Sequence, residues 1–235
     1  MPEGQGQRHM KIDELAHDAD VTVDTIRYYQ REGLLPEAQR SGRHKLYGPE
    51  HRHRLERIRV LQSRRFSLAA IRALLDAERP GLVEGIFGAE SATYTFDDLV
   101  EKSGIDRTLA GRLREAGLLR DPAEFGRDAY DGADLDVVDA VAELSHAGFR
   151  DDVIVEIAAI YSQGIEAMQT QVLDLFAGRR GPSWEPDELE AFQDRTAELA
   201  GSLVPLVTRV VSYAHFRTLQ RLTLGAIEEG RASAD

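Results

Sequence analysis

The sequence predicts a mainly helical protein. A winged helix-turn-helix comes first, a second, degenerate winged-helix-like domain follows, and a long helix and a C-terminal helical bundle end the chain. Three observations predict it. Two short amphipathic segments flank a tight turn at Asp20, with a short basic, glycine-containing stretch behind them. The apolar skeleton of residues 10–74 recurs over residues 94–157. From Val153 to Phe176, apolar residues step by three or four without a miss.

The first helix is expected over Met10 to Ala19, where Ile12, Leu15, Ala16 and Ala19 repeat at helical spacing. Asp20 makes the turn. Thr22 is a good N-cap for a second helix, Val21 to Glu32, with Val23, Ile26 and Tyr29 on its inner face. Gly33 ends it as a C′ glycine does. Outward it shows Thr22, Asp24, Thr25, Arg27 and Tyr28, a set rich in groups that bond phosphates and base edges. Arg40-Ser41-Gly42-Arg43-His44-Lys45-Leu46-Tyr47 reads as a two-stranded wing with cations at its tip. Pro49 starts a third helix, with Leu55, Ile58 and Leu61 (and Val60) inward and Arg52, Arg54, Arg57 and Arg59 outward, either solvated or on a phosphate backbone. Ser67 caps a fourth helix that buries Ala70, Ile71, Leu74 and Leu75. His51 and His53, two apart, point different ways and make a poor metal pair.

Charge separates the two ends of the chain. The net charge of the 235 residues is −12, which argues against an indiscriminate nucleic-acid binder. Residues 8–79 nevertheless carry 15 Lys/Arg against 11 Asp/Glu, whereas residues 80–235 carry 14 against 29. A basic head on an acidic body predicts that only the head meets DNA. The absence of cysteine excludes disulfides, zinc knuckles and thiolate metal sensors. No apolar run reaches membrane length and the N-terminus does not read as a signal peptide, so a cytoplasmic, nucleoid-associated protein without membrane contact is expected.

Residues 10–79 resemble the MerR (mercury-resistance regulator) family of bacterial transcription regulators. The matching strings are Lys11–Ala16, Thr25-Ile26-Arg27-Tyr28-Tyr29, Glu32–Pro36, Arg43–Tyr47 and Phe66-Ser67-Leu68 leading to Ile71–Leu75, in order and in spacing. The resemblance implies a homodimer on a partly palindromic promoter operator, distortion of the double-stranded DNA, and action with RNA polymerase at the promoter. It carries DNA contact onto Thr22, Thr25, Arg27, Tyr28, Arg43, His44, Lys45 and Tyr47. It departs at Asp20, where the family usually has glycine, although aspartate tolerates a left-handed turn. No cofactor, metal or catalytic residue is implied.

The second copy keeps the skeleton and loses the chemistry. At an offset of 84, Leu15 falls on Leu99, Tyr29 on Leu113 and Gly33-Leu34-Leu35 on Gly117-Leu118-Leu119. At an offset of 83, Tyr47 falls on Tyr130, Leu55 on Val138, Leu61 on Leu144, Phe66 on Phe149 and Ile71 on Ile154. Arg27-Tyr28, however, becomes Gly111-Arg112, and the third helix carries Asp134, Asp136 and Asp139 in place of arginines. Such a surface repels phosphates, so DNA binding by this copy is expected to be largely lost despite Arg107, Arg112 and Arg114.

The expected organisation is a disordered tail over 1–9, the winged domain over 10–79, a linker over 80–93, the second copy over 94–157, a long helix over 153–177, a loop over 178–187 and C-terminal helices over 188–230. The long helix offers a seam of Ile154, Ile157, Tyr161, Ile165, Met168, Val172 and Leu175, about 36 Å at 1.5 Å per residue, for pairing with its twin or for a core. Pro205 is placed in the first turn of a last helix. A small organic effector could be lined by Tyr161, Trp184, Phe192, Tyr213, His215 and Phe216, although aromatics at helical spacing also serve as plain core. The competing function is a protein that sequesters a small molecule, with DNA contact subsidiary. An enzyme is disfavoured: the sequence has no phosphate loop, no nucleophile with an apparent base and no metal-ligand cluster.

Overall fold

The computed structural model describes residues 9–42, 44–77 and 92–232. The chain divides into two compact units, one holding the chain up to Ala77 and again to Gly181, the other holding Pro182 onward. The tail (but for His9) and most of the 80–93 linker lie outside the described residues, as does Arg43.

In the first unit, helices α1 (Ile12–Asp18) and α2 (Val23–Arg31) are joined by Asp20 at φ 54°, the left-handed turn that aspartate tolerates. The Lys11 N–H donates to the Glu14 carboxylate at 2.8 Å, and Thr22 Oγ1 accepts from the Thr25 N–H at 3.0 Å, which fixes both helix starts. Gly33 (φ +70°) closes α2 as the Leu34 N–H reaches back to the Tyr29 carbonyl at 2.8 Å. Strands β1 (Gln39–Ser41) and β2 (His44–Leu46) pair antiparallel, Arg40 opposite Lys45, and form the expected wing. Helices α3 (Pro49–Ser63) and α4 (Leu68–Leu75) complete this part, Ser67 capping α4 through the Ala70 N–H. Leu15, Ile26, Leu34, Leu55, Ile58 and Ile71 form its core, each at most 3% exposed.

Two details correct the expectations for α3. Val60 is 46% exposed rather than inward. Arg54, expected to face out, turns in: its Nε donates to the Leu34 carbonyl at 2.6 Å and its Nη2 to Asp76 at 2.5 Å. A guanidinium at this level of α3 meets the carbonyl left over by the glycine turn after α2.

A second set of helices follows: α5 (Phe96–Ser103), α6 (Arg107–Glu115), a 3₁₀ turn (Pro122–Phe125), α7 (Gly132–His146) and the long α8 (Asp151–Phe176). Their core joins Leu99, Leu109, Leu113, Leu119, Val138 and Val141 with Ile154 and Ala158 of α8. Tyr94 and Tyr130 exchange two backbone hydrogen bonds at 2.9 Å, as Met10 and Tyr47 do in the first part. Several residues expected on an apolar skeleton stand exposed: Leu144 at 43%, Phe149 at 55% and Ile157 at 46%. Leu144 on α7, Ile157 on α8 and Phe149 between these helices lie outside the core that Ile154 and Ala158 enter.

The two parts of this unit are stitched at the turn between α3 and α4. The Ser67 N–H donates to the Gly126 carbonyl at 2.8 Å and the Asp128 N–H to the Arg65 carbonyl at 3.2 Å. Arg127, between them, sends its Nε to the Arg64 carbonyl at 3.1 Å and its Nη1 to Asp131 at 2.6 Å, with its guanidinium 5.4 Å from the Phe66 ring centre. Gly126 (φ +68°) lies so close to α4 that a Cβ there would stand 2.5 Å from the Ala70 Cβ.

The second unit contains α9 (Pro186–Glu198) and α10 (Ala200–Ala232). The last helix starts a full turn before the expected place, so Pro205 lies inside it. Leu199 is both the end of α9 and the acceptor for the Ser202 and Leu203 N–H groups, so no spacer separates the two helices. Much of α10 stands exposed. At about 1.5 Å per residue α9 spans less than half of its length, and Leu206, Val210, Leu219 and Leu224 are at least half exposed.

Candidate nucleic-acid interface

The residues singled out in the first domain fall on two adjoining elements. Thr22, Thr25, Arg27 and Tyr28 lie at the start and along one side of α2, and His44 and Lys45 lie on β2. The opposite side of α2 is core: Ile26 is fully buried and Tyr29 is 7% exposed, its hydroxyl donating to Gln62 Oε1 at 3.0 Å. The helix is therefore held from behind, and its outward side is free to meet a ligand surface.

Each outward group has a stated local setting. The Thr22 and Thr25 hydroxyls lie 2.7 Å apart, so one donor is spent between them while oxygen lone pairs stay outward. The Arg27 side chain is 65% exposed and meets Asp24 at 3.4 Å across one helical turn, a pair that solvent weakens and a phosphate can displace. Tyr28 is half-buried beneath the Arg31 guanidinium, 5.3 Å from the ring centre. A shallow concavity of about 570 Å³ is lined by Thr22, Thr25, Tyr28, Gln62, Phe66 and Ser67, so the face of α2 runs on to the turn between α3 and α4. His44 and Lys45 are exposed.

Tyr47 is placed differently from the six other described candidates. It is 1% exposed, its ring stands edge-on to His51 at 5.1 Å, and its hydroxyl meets Gln30 Oε1 at 3.4 Å. Burial pushes the phenol pKa up. Tyr47 thus ties the end of β2 to α2 from inside, and its ring is left almost without exposed surface. Its backbone pairing with Met10 explains the burial, because the bridge carries the side chain under the wing. His51 is buried beside it, with its Nδ1 accepting from the Gly48 N–H at 3.1 Å.

In the second set of helices two of the arginines singled out from the sequence are paired. Arg107 is paired with Asp97 and stacks on Phe96, and Arg114 pairs with Asp121 at 2.7 Å. Asp106 caps α6 by accepting from the Thr108 and Leu109 N–H groups, and these bonds lower its pKa, that from Leu109 most. After α6 the chain makes the 3₁₀ turn, which carries Glu124.

The six aromatic and histidine residues suggested for an effector are divided between the two units. Tyr161 is on α8 in the first unit. In the second, Trp184 and Phe192 stack with ring centres 5.0 Å apart, while Tyr213 and Phe216 stand on α10, 65% and 63% exposed, and His215 sits edge-on to Phe216. No group of three or more metal-ligating side chains occurs among the described residues, and among them no helix is long and apolar enough to cross a membrane.

Comparison with known proteins bears on the first domain. Residues 10–78 match the family described as MerR HTH family regulatory protein, so this stretch is a MerR-family helix-turn-helix domain. The HTH-type transcriptional regulator ZntR homolog of Haemophilus influenzae is 43% identical over 70 residues, which are 29% of this chain and 52% of that protein. The Nodulation protein NolA of Bradyrhizobium sp. is 39% identical over 71 residues, 30% of each chain. The Mercuric resistance operon regulatory protein of Bacillus cereus is 39% identical over 66 residues, 28% of this chain and 50% of that one. The matched stretch spans about half, or less, of the length of these curated relatives.

Proposed function

We propose that this chain, whose residues 10–78 are a MerR-family helix-turn-helix domain, is a dimeric transcription regulator and not an enzyme. It binds a partly palindromic promoter operator and distorts it for RNA polymerase. The observation that carries this reading is the outward side of α2, where Thr22, Thr25, Arg27 and Tyr28 are presented beside the wing cations while Ile26 and Tyr29 anchor the helix from behind. In the major groove such a helix offers hydroxyls to base edges and a guanidinium to guanine or phosphate. Arg43, His44 and Lys45 at the wing grip the backbone alongside.

Residues 94–157 are read as a degenerate copy of the winged domain. The paired backbone bonds of Tyr94 and Tyr130, and the glycine turn at Gly117 (φ +76°) that repeats Gly33, support the duplication. The carboxylates bound to Arg107 and Arg114 support loss of its DNA binding. Dimerisation is assigned to α8, where Tyr161, Ile165 and Met168 are 45%, 50% and 37% exposed along one seam.

The test is binding to duplexes from the chain's own upstream region across a salt series. Affinity should fall steeply with salt, and Arg27→Ala should weaken binding and lower the salt slope by about 1 for each protomer, about 2 for the dimer. Arg112→Ala should leave both unchanged. Equal losses from the two substitutions would overturn the reading of the second copy, and no binding at low salt would overturn the regulator.

A further inference from the structure

We propose that Arg127 is a positioning residue for DNA recognition: it fixes the attitude of α2 relative to α8 and thereby sets the half-site spacing a dimer accepts. The inference rests on the reading of the chain as a dimeric regulator and goes beyond it.

Arg127 belongs to the second set of helices, yet it works on the first. Its side chain is 10% exposed and engages the Arg64 carbonyl, the Asp131 carboxylate and the Phe66 ring at once. Arg64 and Arg65 end α3, where carbonyls lose their helical partners; Arg127 and the Asp128 N–H supply new ones. Ser67 opens α4, and its N–H is satisfied by Gly126. The residue between, Arg65, holds φ 64°, a conformation kept by the contacts on either side of it.

From this point rigid links lead in both directions. Toward DNA, Gln62 on α3 accepts from the Tyr29 hydroxyl of α2. Toward the long helix, Asp131 caps α7 by accepting from the Ala133 N–H at 3.0 Å, and Val138 and Val141 of α7 share a core with Ile154 and Ala158 of α8. The recognition helix and the long helix are thus joined through packed residues with one buried guanidinium in the middle. Lengthening an operator by one base pair moves its half-sites by about 3.4 Å and turns them by about 35°. A stiff joint cannot follow that change, and a loosened one can.

The experiment uses the full chain and duplexes that it selects from a pool of randomised inverted repeats, re-made with the central spacing changed one base pair at a time. A single half-site duplex is the control. The unaltered protein is expected to prefer one spacing by about tenfold or more over its neighbours. Arg127→Ala should reduce that preference to about threefold or less while half-site affinity changes by less than about twofold. Arg127→Gln, which keeps a donor for the Arg64 carbonyl, serves where Arg127→Ala does not fold and should fall between the two. A variant that keeps the full spacing preference, or loses half-site and spaced binding equally, overturns the proposal. So does an unaltered protein that binds all spacings alike. An unaltered protein that selects no duplex overturns the regulator reading instead.

Discussion

Tyr47 and Arg27 are separated by where their side chains end, one under the wing and one in solvent, and substitution should separate their effects. Tyr47→Phe removes only a 3.4 Å contact with Gln30, so DNA affinity should stay within about twofold. Tyr47→Ala should cost about 3–5 kcal/mol in urea unfolding, because the ring is fully buried. Loss of affinity in Tyr47→Phe with unchanged stability would return this residue to the DNA interface. Asp134 offers a residue-scale test of pH. Desolvation raises its pKa, and the neighbouring Asp131 adds to this, against the backbone N–H of Asp131 and the Arg127 charge. A raised carboxyl favours the folded state while protonated and penalises it once ionised. Asp134→Asn should therefore raise the melting temperature at neutral pH, and the gain should fade as pH falls below the ordinary aspartate range. A gain that persisted in acid would show that charge was not its cause.

Two glycines with nearly the same backbone separate strain from contact at the scale of elements. Gly33 and Gly126 have φ of +70° and +68°, so alanine strains both alike. A Cβ on Gly33 meets nothing nearer than the Arg72 Nε at 3.8 Å, whereas on Gly126 it meets the Ala70 Cβ at 2.5 Å. Gly33→Ala should cost about 1 kcal/mol, and Gly126→Ala about 1–3 kcal/mol more, as read by chemical unfolding; equal costs would mean that the seam yields freely. The same pair shows what the sequence made legible. Gly33 follows a periodic helix and announces itself as a terminator, as Thr22 and Ser67 announce caps, and α1 to α4 with the wing lie close to where periodicity placed them. Gly126 sits in a stretch without period, and its reason for being glycine is Ala70, on a helix more than 50 residues earlier in the chain. Arg54 and Arg127 were illegible for the same cause: an arginine's partner carbonyl is chosen by the fold, and helical spacing says only that it has a solvent side. Pro205 misled because proline marks first turns more often than it interrupts helices.

For the whole molecule, the decisive question is what covers the apolar side of α8. Ile154 and Ala158 are buried within their own unit, but Ile157, Ile160, Tyr161 and Ile165 are 45% to 62% exposed. Soluble monomers seldom leave a contiguous stripe of this kind bare, and a stable dimer buries about 1,200–2,000 Å² in total. Charge does not forbid pairing here. The net charge of −12 repels two copies at long range, but salt at physiological strength screens that repulsion beyond about 8 Å, and burial of the stripe acts at contact. Ile165→Lys tests it with little risk to the fold, because the residue is half exposed in the single chain. The variant should retain its helical circular dichroism and melting behaviour at low concentration, yet sediment as a monomer at concentrations where the unaltered chain is expected to sediment as a dimer. Its affinity for a full inverted repeat should drop by at least about tenfold, toward that for a half-site, because the second half-site is no longer engaged at high effective concentration. If Ile165→Lys remains dimeric, the dimer contact lies elsewhere, and the exposed valines and leucines of α10 are the next surface to charge.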